Sequence, residues 1–203
     1  MFDVLIVGGG AAGMSCALVL GSAHTKPYAA ERKIGVFVHQ KASALQDGLY
    51  NNAYGIAPGT LGADLLLNSR SHLASQYPHV VQIENEKVMA VNGQYSDFEV
   101  VTNKGSYRTR EVVIAVGSSS AFFIEGLTEF VMPHQKAAPE KNRIQLRNTD
   151  HLVAPGLYVA GTLAGWRSQL AIAAGSGAAV ATDILTNWND GKPSQVHDST
   201  RAH

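Results

Sequence analysis

The chain has 203 residues, 45% of them hydrophobic and 16% charged, with 16 Lys and Arg balanced by 16 Asp and Glu for a formal net charge of +0. A domain of this size buries roughly 70% of the surface its unfolded chain exposes, so the composition excludes a disordered chain. The lack of any basic excess or run excludes a nucleic-acid binder that works by neutralising phosphates. Cys16 is the single cysteine, which excludes an internal disulfide, a CxxC redox pair and a cysteine-rich zinc site within the chain.

The first element is Phe2-Asp3-Val4-Leu5-Ile6-Val7, a continuous apolar run of the kind that forms a central parallel strand buried on both faces. Gly8, Gly9, Gly10 and Gly13 interrupt the apolar stretch 4–20, and Asp3 precedes it where a signal peptide would be basic. It is therefore read as neither a signal peptide nor a membrane span, and a cytoplasmic location without membrane attachment is expected. Small apolar residues over 11–20 predict a helix stopped by Gly21-Ser22, and Ile34-Gly35-Val36-Phe37-Val38 predicts a second buried strand that completes a βαβ unit.

Residues 40–61 mix glycine, proline and polar side chains and predict a long irregular connection, the kind of loop that often carries function. A helix is predicted over 64–76. Short runs at 80–83, 87–91 and 98–102, the last joined through Asn103-Lys104-Gly105 to Ser106-Tyr107-Arg108-Thr109, predict a small β-meander. Glu111 opens a separate buried strand over 112–116, stopped by Gly117, and Leu157-Tyr158-Val159-Ala160 predicts a fourth. The alanine-rich stretch 169–185 predicts a final helix, and 187–203 a polar tail that frays. The expected fold class is α/β, with a central parallel sheet and a small β-meander, in one domain over 1–186 followed by the tail 187–203.

One motif carries chemistry. Gly8-Gly9-Gly10-Ala11-Ala12-Gly13 fits GxGxxG directly after a predicted strand and directly before a predicted helix, the context that a Rossmann-like dinucleotide site requires. Gly8 allows the tight turn, Gly10 lets a pyrophosphate approach the backbone, Gly13 lets helix and strand pack closely, and the free amides at the helix start face negative charge. The bland alternative is a glycine turn without a ligand. The acid expected at the end of the second strand, where it would bind a ribose hydroxyl, is replaced by His39 and Gln40, and Glu31 comes too early. Either side chain can still hydrogen-bond a hydroxyl. Cys16 is expected to fill core space, and His134 and His151 belong to no spaced ligand set, read as surface residues, so no metal site is predicted.

These residues, with Val112-Val113-Ile114-Ala115-Val116-Gly117 and Gly156-Leu157-Tyr158-Val159-Ala160-Gly161-Thr162, resemble the FAD domain of the thioredoxin-reductase group of flavoproteins. The resemblance puts Ala115 and Gly117 on the family's ATG-like strand end. It puts Gly161-Thr162 on its Gly-Asp, so that the aspartate is absent. Ser168-Gln169-Leu170-Ala171-Ile172-Ala173-Ala174-Gly175-Ser176-Gly177 resembles the family's Arg-Gln-Ala helix start, which implies that Gln169 and Leu170 lie near a flavin ring. Asn52, within Asn51-Asn52-Ala53-Tyr54-Gly55, falls on an asparagine of the ring-contacting loop, and Val88 falls where a backbone contact to adenine is expected.

The resemblance covers nearly the whole chain from Phe2 to about residue 185, but two family parts are missing. Only about 40 residues separate Gly117 from Gly156, too few for an NADPH domain of roughly 100 residues, and the CxxC is absent. The sequence is thus similar to stand-alone flavin domains. It implies an FAD-binding oxidoreductase fed by NAD(P)H or a protein redox partner, with a homodimer as a further expectation and no catalytic side chain assigned. The alternatives are a flavin-binding sensor or carrier module without turnover and, on the same glycines, an NAD(P)-binding Rossmann protein.

Overall fold

The computed structural model describes residues 1–38, 45–194 and 196–199. In chain order the elements are β1 (Phe2–Val7), α1 (Ala11–Ser22), β2 (Ile34–Phe37), β3 (Leu49–Tyr50), β4 (Thr60–Leu61), α2 (Gly62–Gln76), β5 (Val81–Ile83) and β6 (Val88–Gln94). They continue with β7 (Asp97–Thr102), β8 (Ser106–Ile114), β9 (Val131–Pro133), β10 (Ile144–Leu146), β11 (Leu152–Ala154), β12 (Leu157–Val159) and α3 (Leu170–Trp188). The main sheet runs β11-β12-β8-β1-β2-β5, with β12, β8, β1, β2 and β5 mutually parallel and β11 antiparallel at the edge. This is the α/β fold with a central parallel sheet that the sequence predicts.

Alternation along β1 explains the layering. Val4 and Ile6 point to one face, where they pack with Ala17, Leu20, Val180 and Ile184 of α1 and α3. Leu5 and Val7 point to the other, where Val91, Phe98 and Val100 of the meander cover them. A strand covered on both faces has no polar side, which is why its sequence reads as one apolar run. Helix α3 has the length and composition of a membrane span, yet Ser176, Gly177, Val180, Ala181, Ile184 and Leu185 are buried, Gly177 directly against α1.

Five expectations need correction. Helix α1 runs through Gly21 and Ser22; a β-carbon at Gly21 would lie 2.9 Å from Cβ of Tyr77, so this glycine serves close packing and does not end the helix. The strand expected to open at Glu111 is not a separate one, because 106–109 and 112–114 belong to one strand, β8, whose first half pairs with β7 and whose second half pairs with β1 and β12. That strand stops at Ile114, leaving Val116 outside it and 43% exposed. Helix α3 continues to Trp188, whose indole Nε1–H donates to Glu111 Oε2 at 2.8 Å, so the polar tail starts later than expected. In the long connection, β3 and β4 form a short hairpin.

Candidate functional site

The parallel strands end in step. Val7 is paired with Phe37 and Ile114, and Ile114 with Val159, so Gly8, Val38, Ala115 and Ala160 line one edge of the sheet at its carboxyl end. Backbone bonds continue the alignment past the strands: Gly8 N–H donates to Phe37 O at 3.2 Å, Ala115 N–H to Val7 O at 2.8 Å and Ala160 N–H to Ile114 O at 2.9 Å. Ligands of open α/β sheets bind at such an edge.

Glycines make the approach of the surrounding elements possible. Gly8 has φ +118°, and a β-carbon there would stand 2.5 Å from the Ala115 carbonyl oxygen; at Gly13 it would stand 1.8 Å from the Gly8 carbonyl oxygen. Gly10 caps α1 without a side-chain hydrogen bond, and no acidic residue occupies the first turn. Its early amides, those of Ala11, Ala12 and Gly13, therefore carry the positive end of the helix dipole with no competing carboxylate from the first turn. Across from them, α3 crosses so closely that a β-carbon at Gly177 would lie 1.9 Å from the Ala12 carbonyl oxygen.

The next residues to reach this edge belong to the 3-10 turn Gly161–Ala164. A β-carbon at Gly161, φ +73°, would lie 3.0 Å from the Ala12 side chain. The turn is tied down from behind. Ser176 Oγ accepts the Gly161 N–H at 2.8 Å, Thr162 O is 3.1 Å from His134 Nε2, and Asn148 Nδ2 donates to Ala164 O at 3.2 Å. His134 and His151 are thus not the surface residues expected from the sequence: both are buried, at 9% and 8% exposure. No spacing rule could have found them, because the ring partners that tie them to this turn, Thr162, Ser176 and Trp166, lie 15 to 28 residues away in the chain.

The structure therefore brings together Gly8, Gly10, Ala11, Ala12, Gly13, Ala115, Gly161 and Thr162. Gly117, φ +82°, follows two residues after Ala115 with open space beside it. Gln169 is exposed and caps α3 without a side-chain bond, with Leu170 as the first helical residue. Asn52 is exposed on the β3–β4 loop, and Val88 is buried at the start of β6. His39 and Gln40 lie outside the described residues. Cys16 is fully buried in the core, and burial, seconded by the charge of Glu111, pushes its thiol well above the ordinary range, so it packs as expected.

A strand-glycine-helix turn at the carboxyl edge of a parallel sheet, backed by a meander on the opposite layer, gives the chain the Rossmann-like fold of FAD-binding domains. Residues 2–177 match the pyridine nucleotide-disulphide oxidoreductase family, and the chain belongs to that family. Its fold is similar to that of a thioredoxin reductase from Gloeobacter violaceus, with a TM-score of 0.75 at 17% identity, covering 100% of this chain and 99% of that one. An oxidoreductase from Agrobacterium tumefaciens gives 0.71 at 13% identity over 94% and 99% of the two chains. A ferredoxin-flavin thioredoxin reductase from Clostridium acetobutylicum gives 0.68 at 16% identity over 93% and 98%. No curated protein sequence matches the chain.

Proposed function

We propose that this chain is a single-domain FAD flavoprotein with oxidoreductase chemistry. The observation that carries the reading is the side-chain-free cradle where Gly8 meets Ala115, Gly161 meets Ala12, and the uncapped start of α1 opens between them. The fit is to a pyrophosphate: backbone donors, no acidic side chain in the first helical turn, and no β-carbon to hold the anion away. The cradle is neutral throughout, since Thr162 brings a hydroxyl and no charge.

FAD, when bound, supplies the redox chemistry. The chain's part is to bind and orient. The amides of Ala11 and Ala12 would hold the phosphates, the Gly161–Ala164 turn would hold the chain linking them to the ring, and the start of α3, free of acidic residues in its first turn, would face the ring edge at Gln169 and Leu170. Between Gly117 and Gly156 the fold contains two 3-10 turns, the β9–β10 hairpin and β11, and no second nucleotide domain. A bound flavin would therefore need a nicotinamide docking on it directly or a separate reductase as its electron source, and an acceptor outside this chain.

The second reading, a flavin-binding sensor or carrier without turnover, is favoured by the uncharged side chain at Thr162, whose carbonyl meets the His134 ring from behind. One experiment separates the two. The purified protein is expected to show a stoichiometric flavin spectrum, with FAD identified by mass, that bleaches under anaerobic NADH, NADPH or a partner reductase. Bound FAD that no reductant of either kind bleaches selects the module. A colourless protein that cannot be reconstituted removes FAD and leaves the NAD(P) reading. Gly10→Asp, which places bulk and negative charge against the pyrophosphate, is expected to abolish flavin retention while the far-ultraviolet circular dichroism stays unchanged; retained flavin would sink the site.

A further inference from the structure

The polar cluster behind the Gly161–Ala164 turn is built around one imidazole that must accept twice. Trp166 Nε1–H points at His151 Nε2 from 3.1 Å, and an indole nitrogen can only donate. Nε2 is therefore unprotonated. Ser176 Oγ lies 2.9 Å from the same nitrogen, so its hydroxyl proton is also directed there, while its oxygen accepts the Gly161 N–H at 2.8 Å. The proton of the neutral ring sits on Nδ1, consistent with the ring's hydrogen bond to the Asp150 backbone. The His151 and Trp166 rings stack with centroids 6.0 Å apart and planes 25° apart.

The geometry admits little adjustment. His151 has φ +71° and follows Asp150 at φ +45°, a left-handed pair of non-glycine residues. Its backbone is pinned on both sides, its N–H donating to Asn148 Oδ1 at 3.1 Å and its carbonyl accepting from Val159 at 2.9 Å. His134 holds the next peptide of the turn. Its Nδ1 accepts the Lys136 N–H at 3.1 Å, so Nε2 carries the proton and donates to Thr162 O. The charged groups facing His151 are Asp150 beside it and Asp183 on α3, and Lys136 Nζ lies 4.3 Å from the Trp166 ring centroid on the hairpin side.

We propose that His151 is a positioning residue that, through Ser176 and Trp166, sets the Gly161–Ala164 turn in its flavin-receiving shape, and that it does so only as the neutral Nδ1–H tautomer. Protonation puts a donor on Nε2 opposite the donor of Trp166. The indole bond is lost, and the Ser176 hydroxyl must turn away from the ring. The clamp on Gly161 loosens without any ligand-contacting side chain being changed. This inference rests on the flavin reading for what the turn receives, but the clamp itself is a property of the protein alone. Burial pushes the His151 imidazole below its ordinary range, against the charges of Asp183 and Asp150, and so favours the neutral ring, whose tautomer the Trp166 hydrogen bond selects.

The test begins without flavin. The chain has 2 tryptophans, so ¹⁵N-labelled apoprotein gives two indole signals, and Trp166→Phe identifies which is which. On acidification from pH 8 to pH 5 the Trp166 signal is expected to shift and its protection against solvent exchange, relative to the intrinsic rate at each pH, to fall at least tenfold, in a single step that His151→Gln, which keeps an acceptor but cannot titrate, removes. FAD affinity, read by fluorescence quenching, is expected to weaken severalfold between pH 8 and pH 5 in the wild type and to be flat in His151→Gln. Ser176→Ala should weaken it at both pH values. Should His151→Gln fail to fold, Trp166→Phe serves in its place: with the opposing donor gone, the pH dependence of FAD affinity shrinks. A Trp166 indole indifferent to pH, or identical FAD pH profiles in wild type and variant, overturns the proposal. A titrating indole in a protein that binds no FAD upholds the clamp and overturns the proposed function instead.

Discussion

At Gly13 and Gly177 the distances to backbone oxygen, 1.8 and 1.9 Å from a hypothetical β-carbon, leave no room for any side chain, and the atoms met belong to backbone that cannot swing aside. Gly13→Ala is therefore expected to cost about 3 kcal/mol or more by forcing α1 off β1, seen as a lower denaturation midpoint with or without ligand. Gly10, by contrast, carries its consequence in binding alone. Cys16 is the opposite kind of residue. Buried and held protonated, it is expected to resist Ellman's reagent in the native protein and to react stoichiometrically on unfolding; rapid native labelling would make it a reactive thiol after all. The fingerprint glycines were legible in the sequence because they follow one another at fixed spacing in one strand-to-helix turn, even though the atoms that constrain Gly8 and Gly177 belong to Ala115 and Ala12, far along the chain. His134 and His151 were not, because a histidine's role depends on which distant backbone it meets, and nothing in the spacing of either announces Thr162 or Ser176.

Strand β8 is where element-level reading failed, and its burial explains why. Its first half lies in the meander with one face exposed, so Ser106 to Arg110 alternate toward water, whereas Glu111 to Ile114 are covered on both faces. One strand with two environments looks like two strands. Glu111 sits at the junction, buried beside α3, and burial, partly offset by the Trp188 hydrogen bond and the charge of Arg32, raises its carboxyl to about 7. An acid raised in the folded state is stabilising while protonated, so its contribution is full below the ordinary value of 4.5 and is lost as pH rises through about 7. Glu111→Gln keeps an acceptor for Trp188 and cannot ionise. It is expected to be more stable than the wild type at pH 8, by up to the order of 3 kcal/mol, and to match it near pH 5. Urea denaturation across that range checks this, and parallel pH profiles would show that Glu111 titrates normally.

At the scale of the whole molecule, helices on one face and meander on the other leave the carboxyl edge of the sheet as the place where β1, β2, β8, β12, α1 and the Gly161–Ala164 turn converge. A ligand there bridges segments that are far apart in sequence. FAD at 100 times its dissociation constant is expected to stabilise the fold by about 2.7 kcal/mol, read as a rise in the thermal midpoint of the apoprotein; a midpoint indifferent to FAD would argue against the cradle. Sequence reading reached this architecture because parallel strands buried on both faces announce themselves one by one. It could not supply the pairing order, which is decided by contacts between β1 and strands more than a hundred residues later.

That order has a consequence for synthesis on the ribosome. β1 is made first and ends at the centre of the sheet, with β2 on one side and β8 on the other. At roughly 5–20 residues per second, its second partner is completed on the order of ten seconds after β1 itself. Throughout that interval the nascent βαβ unit presents an apolar strand edge, with its glycine turn already formed but roofless. The nascent chain is most exposed to strand-edge association just before β8 emerges, and translation pauses ahead of Glu111 would lengthen that exposure while pauses after Ile114 would not.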